Sequence, residues 1–303
     1  MLWLIAAGAV LAYAVSLVVL AGRPGFSLVE PLFVLGVLGL GMPLLAWLGT
    51  RPAVARRAPQ PAAGAGGLAV TFAYLFLFAV LVLGFGFSAL QQWLPEGQAR
   101  ELATLALKWL TMVLLPLWLL HRLGLGSPLQ APRWGWHRSQ WLALVLVGLA
   151  LLAFQAVFGR GLSRLDELQP ALLTLLWAVP LCFLWQCLEA GLTEEVLFRA
   201  FLQQRLASVL RSDAAAILIA ALLFGLAHAP GLLLRGANLL EGEADPTLAW
   251  ALAYSVVVIA PAGILFGVLW ARTRSLPLVV ALHGLTDTLP QLADFIRRWS
   301  PGA

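Results

Sequence analysis

The stretch 247–270, TLAWALAYSVVVIAPAGILFGVLW, runs for 24 positions without a charged residue. As an α-helix it would be about 36 Å long, enough to cross the ~30 Å hydrocarbon core of a bilayer. In lipid every backbone N–H and C=O must be satisfied within the segment, so a lone run of this kind is a helix. A membrane β-barrel would show short alternating segments instead. Working outward, further apolar segments fall at about 1–21, 31–49, 68–90, 102–120, 140–158, 171–193, 213–229 and 277–296. The first of them lacks the basic leader of a signal peptide and is kept as a spanning helix. The expectation is an all-α fold, a polytopic transmembrane helical bundle of about eight or nine membrane-spanning helices.

Composition agrees. The chain is 61% hydrophobic and 11% charged, where soluble domains carry about 25% charged residues. A net charge of +5 would raise nucleic acid as a partner of a soluble protein. Here the arginines cluster at helix ends, where they fix topology and meet lipid headgroups, so the bilayer is the expected partner and nucleic acid is not. Two linkers are basic and expected to be cytoplasmic: 50–67 with Arg51, Arg56 and Arg57, and 121–139 with Arg122, Arg133, Arg138, Ser127-Pro128 and Ala131-Pro132. Nine crossings place both linkers on one side with Arg272 and Arg274, and place the acidic loop of Glu241, Glu243 and Asp245 on the other. Arg297 and Arg298 stand against that orientation. Cys182 and Cys187 lie about 140° apart on a helix and are a poor disulfide pair.

Ionisable groups inside apolar helices are costly, so each is a functional hypothesis. The first place is Glu194-Glu195-Val196-Leu197-Phe198-Arg199. Glu195 and Arg199 can pair at i, i+4, while Glu194 points about 100° away, free to face a cavity as a general base. A buried ion pair that only fixes packing is the alternative for this place, though a double glutamate is a costly way to achieve it. The second place is Phe224-Gly225-Leu226-Ala227-His228, where Phe224 and His228 share a face and the small residues permit close helix approach. The third is His283-Gly284-Leu285-Thr286-Asp287, with His283 and Asp287 again at i, i+4. Glu189 and Glu30 are expected to be end-of-helix or solvated groups.

A turn near Arg211 to Asp213 separates two helices. Glu194 and His228 both fall about 25 Å from it, so a hairpin would set carboxylate and imidazole side by side. His283 fits less simply. It is only about 10 Å from the loop at 271–276, and straight alternating helices would start it near the opposite membrane face from His228; a recessed loop, a tilted helix or a different segment count would each reconcile the two.

In order, these residues form E-E-x-x-x-R, F-x-x-x-H and H-x-x-x-D, and Arg272 to Pro277 precede the last. The set resembles the CAAX-protease and bacteriocin-processing family of intramembrane glutamic endopeptidases, which includes the Rce1-type enzymes. The resemblance covers about residues 180–296. It implies a metal-free peptidase in which Glu194 activates a water, His228 holds that water and His283 stabilises the oxyanion. Glu195, Arg199 and Phe224 would shape the site. Asp287 stands where eukaryotic members carry asparagine. An ionised aspartate cannot donate to an oxyanion, so Asp287 would instead orient His283 and keep it protonated.

The expected division is residues 1–170, N-terminal helices of unassigned role, and 171–303, a protease core. The expected substrate is a membrane-bound or lipid-anchored peptide or a short leader-bearing one, in a bacterial plasma membrane. Three rival readings remain. Glu194, His228 and His283 are also a plausible zinc set. The chain could be a non-catalytic bacteriocin-immunity or scaffold protein of the same fold. It could be a transporter with Glu194 and His228 as a proton relay, although no internal repeat is evident.

Overall fold

The computed structural model describes residues 1–23, 25–50, 65–124, 138–234 and 246–300. Among these there is no strand. The chain forms α1 (Leu2–Ala21), α2 (Val29–Gly49), α3 (Gly66–Trp93), α4 (Gln98–Arg122), α5 (Arg138–Phe158), α6 (Gly161–Leu168), α7 (Leu172–Leu210), α8 (Asp213–Leu234), α9 (Leu248–Thr273) and α10 (Leu276–Trp299). All of these except α6 and α10 are long and apolar enough to cross a bilayer, eight helices in total. The protein is an integral, multi-pass membrane protein. Arg51, Arg56, Arg57, Arg133, the two X-Pro pairs of the second linker and the acidic loop of Glu241, Glu243 and Asp245 lie outside the described residues.

The segment at 277–296 is the exception among the expected spans. It forms a 24-residue helix, long enough to cross, but His283, Asp287, Asp294, Arg297 and Arg298 make it too polar to count by composition. Its neighbours admit it through small residues. A Cβ added to Gly161 would lie 2.5 Å from the Leu289 carbonyl oxygen, and one on Gly191 would lie 2.8 Å from that of Val280. Gly284 on α10 sits equally close to Cys187 of α7. Close backbone approach through small residues replaces the hydrophobic drive that helices lack in lipid. His283 of α10 is buried against protein, while Arg297 and Arg298 at its end are exposed.

At 39 residues, α7 would be about 58 Å long if regular, well beyond the hydrocarbon thickness. It is not regular: Cys187–Gly191 and Val196–Gln203 adopt i→i+5 hydrogen bonding, which widens and shortens the helix. Every residue from Val196 to Gln203 is buried, so this part of α7 runs through the centre of the bundle.

The turn after α7 follows its sequence. Arg211 takes a left-handed conformation (φ 52°), and the Ser212 hydroxyl accepts from the Ala215 N–H at 3.2 Å as the N-cap of α8. Further along, α8 breaks at Ala227 and His228. Pro230 lacks an N–H for the Leu226 carbonyl and disfavours helical backbone just before it, which accounts for the break. α9 packs back on α8 at glycines: Cβ atoms on Gly225 and Gly263 would come within 2.5 Å of Ser255 O and 2.8 Å of Ala221 Cα.

Helix ends pair across each face. Arg272 hydrogen-bonds the Thr50 hydroxyl at 2.8 Å, and Arg274 lies 3.6 Å from Asp213. At the other face Arg298 pairs with Glu101 at 2.9 Å and Arg297 with Asp294 at 3.1 Å. The two arginines that oppose the charge-based orientation are thus matched by carboxylates. Cys182 and Cys187 are both free thiols.

Candidate active site

The stretch Leu192–Glu195 is a short regular turn between the two i→i+5 stretches of α7. Bulges of this kind redirect side chains and recur at functional sites. Here the two adjacent glutamates face different partners. Glu195 is fully buried; its Oε2 accepts from Arg199 Nε at 3.0 Å and its Oε1 lies 2.8 Å from His283 Nδ1. Glu194 Oε2 lies 3.7 Å from His283 Nε2 and 4.0 Å from His228 Nε2. That oxygen is buried and makes no hydrogen bond among the described residues. The α7–α8 hairpin thus sets Glu194 beside His228, as the spacing about Arg211 requires.

His228 sits at the break in α8, its Nδ1 2.9 Å from the Phe224 carbonyl. A carbonyl oxygen only accepts, so Nδ1 carries the proton and Nε2 faces Glu194. His283 lies flat on Phe266, ring centroids 4.7 Å apart and planes 4° from parallel. Phe224 presents its edge or face to both imidazoles, at 5.0 Å and 6.1 Å. The Arg199 guanidinium is 4.9 Å from the Phe224 ring centroid, so a cation–π contact supplements its bond to Glu195. Asp287 Oδ2 is 3.4 Å from His283 Nε2.

The depth of His283, left open by the sequence, is resolved, and one sequence expectation is corrected. Both imidazoles meet at Glu194. α7 packs directly on α10 at Val280 and Gly284, and this contact sets His283 beside Glu194. Glu189 is not an end-of-helix or solvated group. Its side chain is 17% exposed and its carboxylate lies 2.5 Å from Lys108 Nζ. Glu30, by contrast, is exposed in the first turn of α2, remote from this cluster.

Lys108 and Phe266 escaped the sequence reading. Lys108 on α4 lies 3.9 Å from Glu194 Oε1. A signal existed: it is the one lysine in the sequence, and it falls inside an apolar segment. Phe266 had none, since one phenylalanine in an apolar helix looks like any other.

Residues 174–289 match the family model for type II CAAX prenyl endopeptidases, Rce1-like. This region belongs to the CAAX-protease family. The match takes in the glutamates and arginine of α7, both site histidines, Phe224, Phe266 and Asp287. The matched region runs through the spanning helices α7, α8 and α9 into α10, and Lys108 reaches it from outside. No curated protein and no solved structure matches the chain.

A cleft of about 520 Å³ lies between α2, α5, α6 and α9, lined in part by Arg23, Glu30, Arg160, Arg164 and Tyr254. It also reaches Pro290, three residues past Asp287, whose side chain is 32% exposed and is tied with His228 for the most open of the site.

Proposed function

We propose that the protein is an intramembrane endopeptidase that hydrolyses a peptide bond of a membrane-bound or lipid-anchored peptide with a glutamate-activated water. The observation that carries this reading is the Glu194 Oε2 atom, buried, without a hydrogen bond among the described residues and facing two imidazole Nε2 atoms at 3.7 and 4.0 Å. A water held there donates one proton to Glu194 Oε2 and the other to His228 Nε2, which Phe224 leaves as an acceptor. Its lone pair then points away from both, toward a scissile carbonyl.

As water attacks, Glu194 takes its proton and the carbonyl π electrons move to oxygen. His283 receives that oxyanion. Its Nδ1 donates to Glu195, which holds the ring so that an Nε2–H faces the site. Collapse of the intermediate expels the amine, which takes the proton from Glu194, and the carboxylate is restored. Asp287 and Phe266 orient His283; Arg199 balances the charge of Glu195. No step draws on a serine, a cysteine or a metal.

The substrate reaches the site from the bilayer, which the apolar surround favours, and the host membrane is a bacterial plasma membrane. The test compares membrane-protein termini in host cells that carry wild type or Glu194→Ala at equal expression. Termini that form only with wild type would support hydrolysis and name the substrate. Identical termini, with both proteins folded, would sink the protease reading in favour of an immunity or scaffold role.

A further inference from the structure

We infer that Lys108 is a positioning residue for Glu194, so that an N-terminal helix outside the CAAX-protease core completes the site. This rests on the reading of Glu194 as the water-activating group. A carboxylate base presents one of two equivalent oxygens, and rotation about its terminal bond exchanges them. Lys108 Nζ lies 2.5 Å from Glu189 and 3.9 Å from Glu194 Oε1. The ammonium therefore attracts Oε1, and Oε2 is the oxygen left facing His228 and His283. The three side chains are only 12–17% exposed, so the attraction is poorly screened.

Position and charge both fit this role. Trp109, the next residue, donates its indole N–H to the Leu188 carbonyl at 3.0 Å, which fixes the register of α4 on α7 beside both ion pairs. Glu189 takes the close contact with Lys108, which leaves Glu194 at the longer distance and outside a direct ion pair. A lysine facing Glu194 alone would hold that carboxylate in a closed ion pair. The Lys108–Glu189 pair instead supplies a dipole: strong enough to orient Glu194, and neutral overall.

The test uses the full chain in nanodiscs and has two arms. Because Lys108 is the one lysine in the sequence, 15N-lysine labelling gives a single ammonium resonance. Glu194→Gln should shift that resonance. The second arm measures kcat and KM on a quenched-fluorescence farnesylated CAAX peptide. Lys108→Met should lower kcat by about 10–100-fold with KM nearly unchanged, the range of a misplaced catalytic group. Lys108→Arg should recover part of the loss, because it keeps the charge with a different reach. Glu189→Gln, which keeps the lysine, should lower kcat less than Lys108→Met.

An ammonium resonance indifferent to Glu194→Gln would overturn the proposal. So would a folded Lys108→Met protein with wild-type kcat. A loss confined to KM would do the same and make Lys108 a substrate-binding group. A wild-type protein that leaves the peptide intact counts against the peptidase reading on that substrate, while the resonance arm still decides whether Lys108 engages Glu194.

Discussion

Glu195 Oε1 lies 2.8 Å from His283 Nδ1, while its other oxygen takes the bond from Arg199. One fully buried carboxylate thus ties α7 to α10 and holds the imidazole that faces Glu194. Two adjacent glutamates meet different neighbours because successive residues on a helix point about 100° apart.

The two glutamates should separate in mutants. Glu195→Gln leaves Arg199 buried without its carboxylate, a loss of about 3–5 kcal/mol. It should lower the unfolding temperature in detergent and the yield of folded protein. Glu194→Gln, isosteric and already without a hydrogen bond on Oε2, should change stability by less than about 1 kcal/mol. Its cleavage rate should fall by at least about 100-fold, the contribution of a general base. Equal stability losses for the two variants would contradict the division of roles.

Asp287 touches the same imidazole nitrogen that is assigned to the oxyanion, at 3.4 Å. Asp287→Asn keeps the shape and an acceptor for His283 Nε2 and adds an amide donor. Cleavage should stay within about tenfold of wild type, a difference of about 1.4 kcal/mol in the barrier. Asp287→Ala, which removes both, should be the slower of the two. A faster alanine variant would show that the carboxylate competes with the oxyanion rather than orienting the ring.

The site is assembled by backbone contact at glycines. A Cβ on Gly225 would lie 2.5 Å from the Ser255 carbonyl oxygen and 2.9 Å from the Ala260 Cβ. Gly225→Ala should therefore cost about 1–3 kcal/mol through overpacking and push His228 off Glu194. Gly8→Ala meets nothing within 4 Å and is the neutral control. Thermal unfolding and cleavage, measured side by side, check both.

A carboxylate with two imidazoles is also a zinc donor set. The metal-free mechanism requires that exhaustive treatment with a tight chelator leave cleavage unchanged within error. Metal analysis of the active protein should then find well under one zinc per chain. Chelator-sensitive activity restored by zinc would overturn the metal-free mechanism and make Glu194, His228 and His283 the residues that would hold the ion.

What the sequence determined was the class of fold and most members of the candidate cluster, though not Lys108 or Phe266. Uncharged runs of about 20 residues in a bilayer have only the helix as a solution, so the span pattern follows from hydropathy. Costly groups in those runs mark Glu194, Glu195, Arg199, His228, His283 and Asp287, and the Arg211–Asp213 turn sets the first hairpin. What tertiary structure decided was depth and partnership. Backbone contact of α7 with Val280 and Gly284 of α10 brings His283 beside Glu194, and where one helix settles along another is not recorded in the residue order. The pairing of Lys108 with Glu189 and the Phe266 face under His283 join helices far apart in the chain. Such contacts follow from how helices settle against one another, and no local pattern in either helix encodes them.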